Sequence, residues 1–94
     1  MRLYETTYIL DPDMEDEELT QIQEKFSNLI AKTGGEIVNV DNWGKRRLAY
    51  EVEGKTEGVY IVMRINSEEP TQNVLKRNFN INDKVLKSLI IRLN

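Results

Sequence analysis

Neither cysteine nor histidine occurs anywhere in the 94 residues. Without cysteine there is no disulfide scaffold, thiolate metal site, iron–sulfur cluster or cysteine nucleophile. Without histidine the usual zinc ligand and the usual general base at neutral pH are gone as well. No apolar run approaches the roughly 20 residues that a membrane-spanning helix needs, and Met1-Arg2 leads straight into mixed sequence, so no signal peptide is expected. These absences point to a small cytosolic domain that binds rather than catalyses, with no metal, cofactor, membrane or small-molecule substrate. The length suits a single domain, residues 1–94, with a modest two-layer core.

Charge of either sign is plentiful, but it is unevenly placed. Residues 1–40 hold 9 acidic and 3 basic side chains, a balance of −6, whereas residues 41–94 hold 7 acidic and 10 basic ones, a balance of +3. The overall −3 argues against non-specific nucleic-acid binding and leaves room for a local basic face.

The hydrophobic pattern switches period along the chain. Arg2 to Leu10 alternates, with Tyr4, Thr6, Tyr8 and Leu10 on the side predicted to face the core. Asp11-Pro12-Asp13 breaks that strand. From about Met14 to Thr33, Leu19, Ile22, Phe26, Leu29 and Ile30 fall on one helical stripe, and Gly34-Gly35 ends the helix. The acidic run Glu15 to Glu18 reads as dipole compensation in the first turn rather than a metal site. Glu36 to Val40 and Trp43 to Val52 read as strand, with Asp41-Asn42 irregular and Gly44 marking a bulge or twist. Gly54 to Gly58 reads as a hairpin loop and Val59 to Asn66 as a strand whose core set is Val59, Ile61, Met63 and Ile65. Ser67 is placed to cap a second helix with Pro70 in its first turn and Val74, Leu75 and Phe79 inward. Val85 to Leu93 is a final strand.

The order β-α-β-β-α-β predicts an α+β, ferredoxin-like split sandwich: a four-stranded antiparallel sheet with both helices on one face. The other face is then open, and Leu3, Ile9, Tyr60 and Val62 lie on it together with half of the last strand, either Leu89 and Ile91 or Leu86 and Ile90. A contiguous apolar patch of this kind favours a protein partner over scattered surface hydrophobes. Here the interface candidates are Leu3, Ile9, Tyr60, Val62, Leu89 and Ile91.

Trp43 to Tyr50 carries three consecutive cations, with Lys45 and Arg47 on one strand face and Arg46 on the other. Guanidinium groups hold phosphates, and a neighbouring Trp or Tyr can stack on a base; a solvated edge strand protected by charge is the plainer reading. Arg2, and late in the chain Lys76, Arg77, Lys84, Lys87 and Arg92, form a second concentration of positive charge. Other uses of the same fold fit less well. An RNA-recognition motif would need aromatics where Val59 and Ile61 stand, a metal chaperone would need paired cysteines, and an acyl-phosphate hydrolase would need an arginine in the Gly54 to Gly58 loop. Glu51 and Glu53 on a common strand face have no pocket to make them an acid–base pair.

Gly44 to Val52, the opening Met1 to Glu5 with Ile9 and Pro12 after it, and the Gly34-Gly35 helix exit together resemble the ribosomal protein six family of the bacterial small subunit. The resemblance runs from Met1 to about Arg92, with Val52 where the family usually has isoleucine. Many members carry a charged C-terminal tail; this sequence stops at Asn94, so no tail function is carried over. The resemblance implies a non-catalytic component of the small ribosomal subunit. It further implies pairing with small-subunit ribosomal protein eighteen and binding to the central domain of the small-subunit ribosomal RNA. Arg2, Lys45, Arg46, Arg47, Tyr50, Lys84, Lys87 and Arg92 are the RNA candidates. Phosphate and shape contacts are expected to outweigh base readout. The competing expectation is a ferredoxin-like regulatory or protein–protein domain without RNA.

Overall fold

The computed structural model describes residues 1–94. Its elements are β1 (Arg2–Leu10), α1 (Asp16–Lys32), β2 (Glu36–Val52), β3 (Lys55–Ser67), α2 (Glu69–Ile81) and β4 (Val85–Arg92). The strands form one antiparallel sheet in the order β2-β3-β1-β4, so the two sequence-distant strands β1 and β3 lie at the centre. This is the expected split arrangement.

Register fixes which side chains face the helices. Tyr4 pairs with Ile65, Thr6 with Met63 and Tyr8 with Ile61, and all six are buried beneath α1 and α2. Phe26 and Ile30 of α1 and Leu75 and Phe79 of α2 close the core from above, as the helical stripes require. Tyr8, Phe26 and Phe79 form an aromatic triangle with ring centroids 4.7–5.2 Å apart. Its edge-to-face and stacked contacts add to the area buried. Burial in this triangle pushes the Tyr8 phenol well above its ordinary value.

The last strand, whose facing the sequence leaves open, is settled by pairing. Thr6 stands opposite Ile90 and Thr7 opposite Leu89, which turns Ile90 to the helices and Leu89 and Ile91 to the open face. Leu86 falls in a register shift between Ile9 and Leu10 and has no partner across the ladder.

One open point is settled and two local expectations need correction. Strand β2 is continuous through Asp41-Asn42, because register shifts between Ile37 and Asn39 and between Asn42 and Gly44 absorb the irregularity. The hairpin turn is Glu53-Gly54, not Gly54 to Gly58. Val52 pairs directly with Lys55, and both turn residues have positive φ (48° and 79°), the geometry of a type I′ turn. Gly58 is a strand residue: a β-carbon there would overlap Cγ2 of Ile9, whose side chain takes the space. Placing Glu53 in the turn also removes it from the strand face assigned to Glu51. Finally, Glu68 rather than Ser67 is the N-cap of α2, and it makes no side-chain cap. The Ser67 hydroxyl is instead enclosed, donating to the Glu68 carbonyl and accepting from Gln72 Nε2, while Gln72 Oε1 accepts from Thr6. This buried chain ties the start of α2 to β1 and β3 with its polar atoms satisfied.

Candidate nucleic-acid and partner interface

The face away from the helices presents Leu3, Glu5, Thr7 and Ile9 from β1, Tyr60, Val62 and Arg64 from β3, and Lys87, Leu89 and Ile91 from β4. All six partner candidates therefore share one face, but they are not equally available. Leu89 and Ile91, on the β4 edge, are 57 % and 44 % exposed, whereas Ile9 and Val62, on the inner strands, retain only 8 % and 7 %. Leu3 and Tyr60 are intermediate.

Ile9 is covered by the chain itself. The far end of the β2–β3 hairpin folds back across the sheet, so that Leu48, Tyr50 and Val52 meet Ile9, Tyr60 and Leu89 around a groove of about 240 Å³. Lys87, on the opposite edge strand, is bonded to the Tyr50 hydroxyl and lies 4.8 Å from the centre of its ring. The missing side chain of Gly58 gives Ile9 and Leu48 room to pack there.

Beside the groove the bulge in β2 re-aims Trp43. Gly44 stands opposite Tyr60 at φ 74°, and its amide donates to Asn42 Oδ1 at 2.8 Å. With Gly44 in this left-handed conformation, the Trp43 ring lies beside Tyr60, nearly parallel at 10° with centroids 6.3 Å apart. Arg46 donates from Nε to the Trp43 carbonyl and holds its guanidinium 5.9 Å from the Trp43 ring centre. Half of Trp43 remains exposed. Trp43 is absent from the candidates drawn from sequence. The glycine after it signals a bulge, but the direction in which a bulge turns a side chain depends on the partner strand.

The eight RNA candidates do not converge on one patch. Arg46 is on the open face beside Trp43, and Lys45 and Arg47 take the other side of the same strand, as alternation predicts. Lys45 and Lys84 both act on Asp13, at the end of the molecule where Asp13 also accepts a 2.6 Å bond from Lys55. Tyr50 and Lys87 engage each other over the groove. Arg2 and Arg92 sit at the opposite end on the helix side, lining a polar cleft with Lys76 of α2. Of the eight, Arg2 alone is ion-paired, with Glu69 at 3.9 Å.

These features have a counterpart among known proteins. The sequence model for the family described as Ribosomal protein S6 matches residues 3–92. The chain belongs to the ribosomal protein S6 family. It is 51 % identical over 92 residues to the small ribosomal subunit protein bS6 of Thermoanaerobacter pseudethanolicus, covering 98 % of this chain and 97 % of that one. It is equally similar, at 51 %, to the bS6 of Desulforudis audaxviator, covering 98 % of both. The crystal structure of 30S ribosomal protein S6 from Thermotoga maritima superposes with a TM-score of 0.91 at 25 % identity, over 97 % of this chain and 86 % of that one. Membership makes this S6-family chain a structural protein of the small ribosomal subunit, in the bacterial cytoplasm, and not an enzyme.

Proposed function

We propose that this chain binds the central domain of the small-subunit ribosomal RNA as one half of a pair with small-subunit ribosomal protein eighteen. The protein partner takes the open sheet face, through Leu3, Tyr60, Leu89, Ile91 and the Trp43 ring. Ile9 and Val62 support that surface from beneath. RNA phosphate is met by the cations that make no salt bridge, Lys45, Arg46, Arg47, Lys84, Lys87 and Arg92, together with Arg2; Tyr50 positions Lys87.

The observation that carries this reading is the coexistence of an exposed aromatic and aliphatic face with unpaired arginines on a chain of net charge −3. An acidic chain gains little from long-range attraction to RNA, so local phosphate contacts and a second protein divide the task.

The test is calorimetric titration of the partner protein into wild type and Leu89→Asp. Leu89 is exposed, so the variant folds; loss of pairing supports the sheet face, and unchanged pairing removes it.

A further inference from the structure

The cleft at the Arg2 end of the sheet differs from every other basic region of the molecule. Arg2 from β1, Lys76 from α2 and Arg92 from β4 line a cavity of about 320 Å³, and Glu69 is its one acidic residue. Glu69, Asn73 and Lys76 follow one another at helical spacing, so α2 presents a carboxylate, an amide and an ammonium along one wall. Arg92 donates from Nε to the main-chain oxygen of Asn94 and keeps its two terminal nitrogens unpaired. Lys76 has no ion pair, and Glu68, the other carboxylate at this end, is engaged by the Met1 amino group at 3.4 Å.

The basic cluster at the far end of the sheet is built differently. There Lys55 lies 2.6 Å from Asp13 and 3.8 Å from Asp11, and Lys45 and Lys84 act on the same Asp13. Its charge is largely compensated from within. In the Arg2 cleft three cations face one side-chain carboxylate, and the 3.9 Å Arg2–Glu69 contact is long, exposed and readily screened.

We infer that this cleft is a seat for one phosphodiester group of a nucleic-acid backbone, held by Arg2, Lys76 and Arg92, with Glu69 limiting its affinity. The inference rests on the RNA-binding reading above and deepens it by adding Lys76 as a phosphate ligand and Glu69 as an opposing charge. Two guanidinium groups offer paired donors to the phosphate oxygens, Lys76 adds a point charge from the helix wall, and Asn73 supplies a neutral donor beside them. Glu69 repels the phosphate and competes for Arg2.

The test is the salt dependence of binding to a central-domain RNA fragment, in the presence of protein eighteen, for wild type, Lys76→Gln, Glu69→Gln and Arg77→Gln. All three positions are exposed, and Arg77 does not line the cleft. Lys76→Gln is expected to reduce the slope of log affinity against log salt by about 0.7–0.9 and to weaken binding about 5- to 8-fold at 0.1 M salt. Glu69→Gln is expected to act in the opposite direction, tightening binding about twofold, and Arg77→Gln to leave the slope unchanged. Excess inorganic phosphate at constant ionic strength is expected to compete with RNA at wild type and less at Lys76→Gln; phosphate that bound wild type through Lys76 without weakening RNA binding would give a free anion rather than the RNA backbone as the occupant and overturn the assignment. A wild-type slope for Lys76→Gln would overturn the cleft while leaving RNA binding intact. Absence of wild-type RNA binding would overturn both.

Discussion

Tyr50 and Lys87 are 37 positions apart on the two opposite edge strands of the sheet, yet the Lys87 ammonium bonds the Tyr50 hydroxyl and lies 4.8 Å from the centre of its ring. The contact joins the folded-over hairpin to the far edge and closes one side of the apolar groove. It is a charge-assisted hydrogen bond at an exposed site.

Because the rest of the core does not depend on this latch, Lys87→Met should leave the global fold in place and loosen only the hairpin. Hydrogen exchange should quicken at residues 48–52 and stay unchanged in β1. Equal protection in wild type and variant would show that packing of Leu48 alone holds the hairpin down.

Gly58→Ala should destabilise the chain by about 1–3 kcal/mol through overpacking, since the added carbon overlaps Ile9 Cγ2 and comes within 3.3 Å of the Leu10 carbonyl oxygen. Urea denaturation reads the shift in midpoint. Ile9→Ala removes the clashing methyl, so the double variant should lose less than the sum of the two single ones. Simple additivity would mean the strain lies in the backbone.

The Lys55 hydrogen bond, and then its charge, hold the Asp13 carboxyl below its ordinary 3.8, and Asp13 and Asp11 in turn hold Lys55 above 10.5. The depressed carboxyl contributes stability that is present above pH 3.8 and lost as pH falls through the folded value. The raised ammonium contributes stability that is present below pH 10.5 and lost as pH rises through its folded value. In Lys55→Met, a carboxyl-carbon NMR titration should find Asp13 moved up to the ordinary range. An unmoved midpoint would remove Lys55 as the cause.

Trp43 combines half exposure with firm support from Tyr60 and Arg46, the features of an interface anchor. Trp43→Ala should keep the fold and weaken pairing with the protein partner by at least about 30-fold, the level of a hot-spot residue. As the chain's one tryptophan, it also reports directly: its emission should shift to the blue as the partner covers it. Unshifted emission on a formed complex would put Trp43 outside the interface.

Much of this was legible in the residues because alternation and helical spacing are local. The Tyr4-to-Leu10 and Val59-to-Ile65 sets and the Phe26 and Phe79 stripes name the core without reference to any partner strand. The facing of β4 was not legible, since Val85 to Ile91 is apolar on both sides and only pairing with Thr6 and Thr7 separates Ile90 from Leu89. Gly54 and Gly58 look alike in sequence, yet one turns the chain and the other makes room for Ile9. The open face was correctly populated from alternation, but the burial of Ile9 beneath Leu48 arises from a hairpin folding over its own sheet, a long-range event with no periodic signal. The basic residues were easy to name and impossible to group. Arg2, Lys76 and Arg92 meet only because β1 lies between β3 and β4, with α2 above.

The most direct test is a gel-shift titration of central-domain ribosomal RNA at near-physiological salt, with this chain alone, with protein eighteen alone, and with the two mixed. The expected result is tight binding by the mixture and weak binding by either protein alone. Binding by this chain alone as tight as by the mixture would contradict the shared interface, and no binding by the mixture would contradict the RNA-binding function itself.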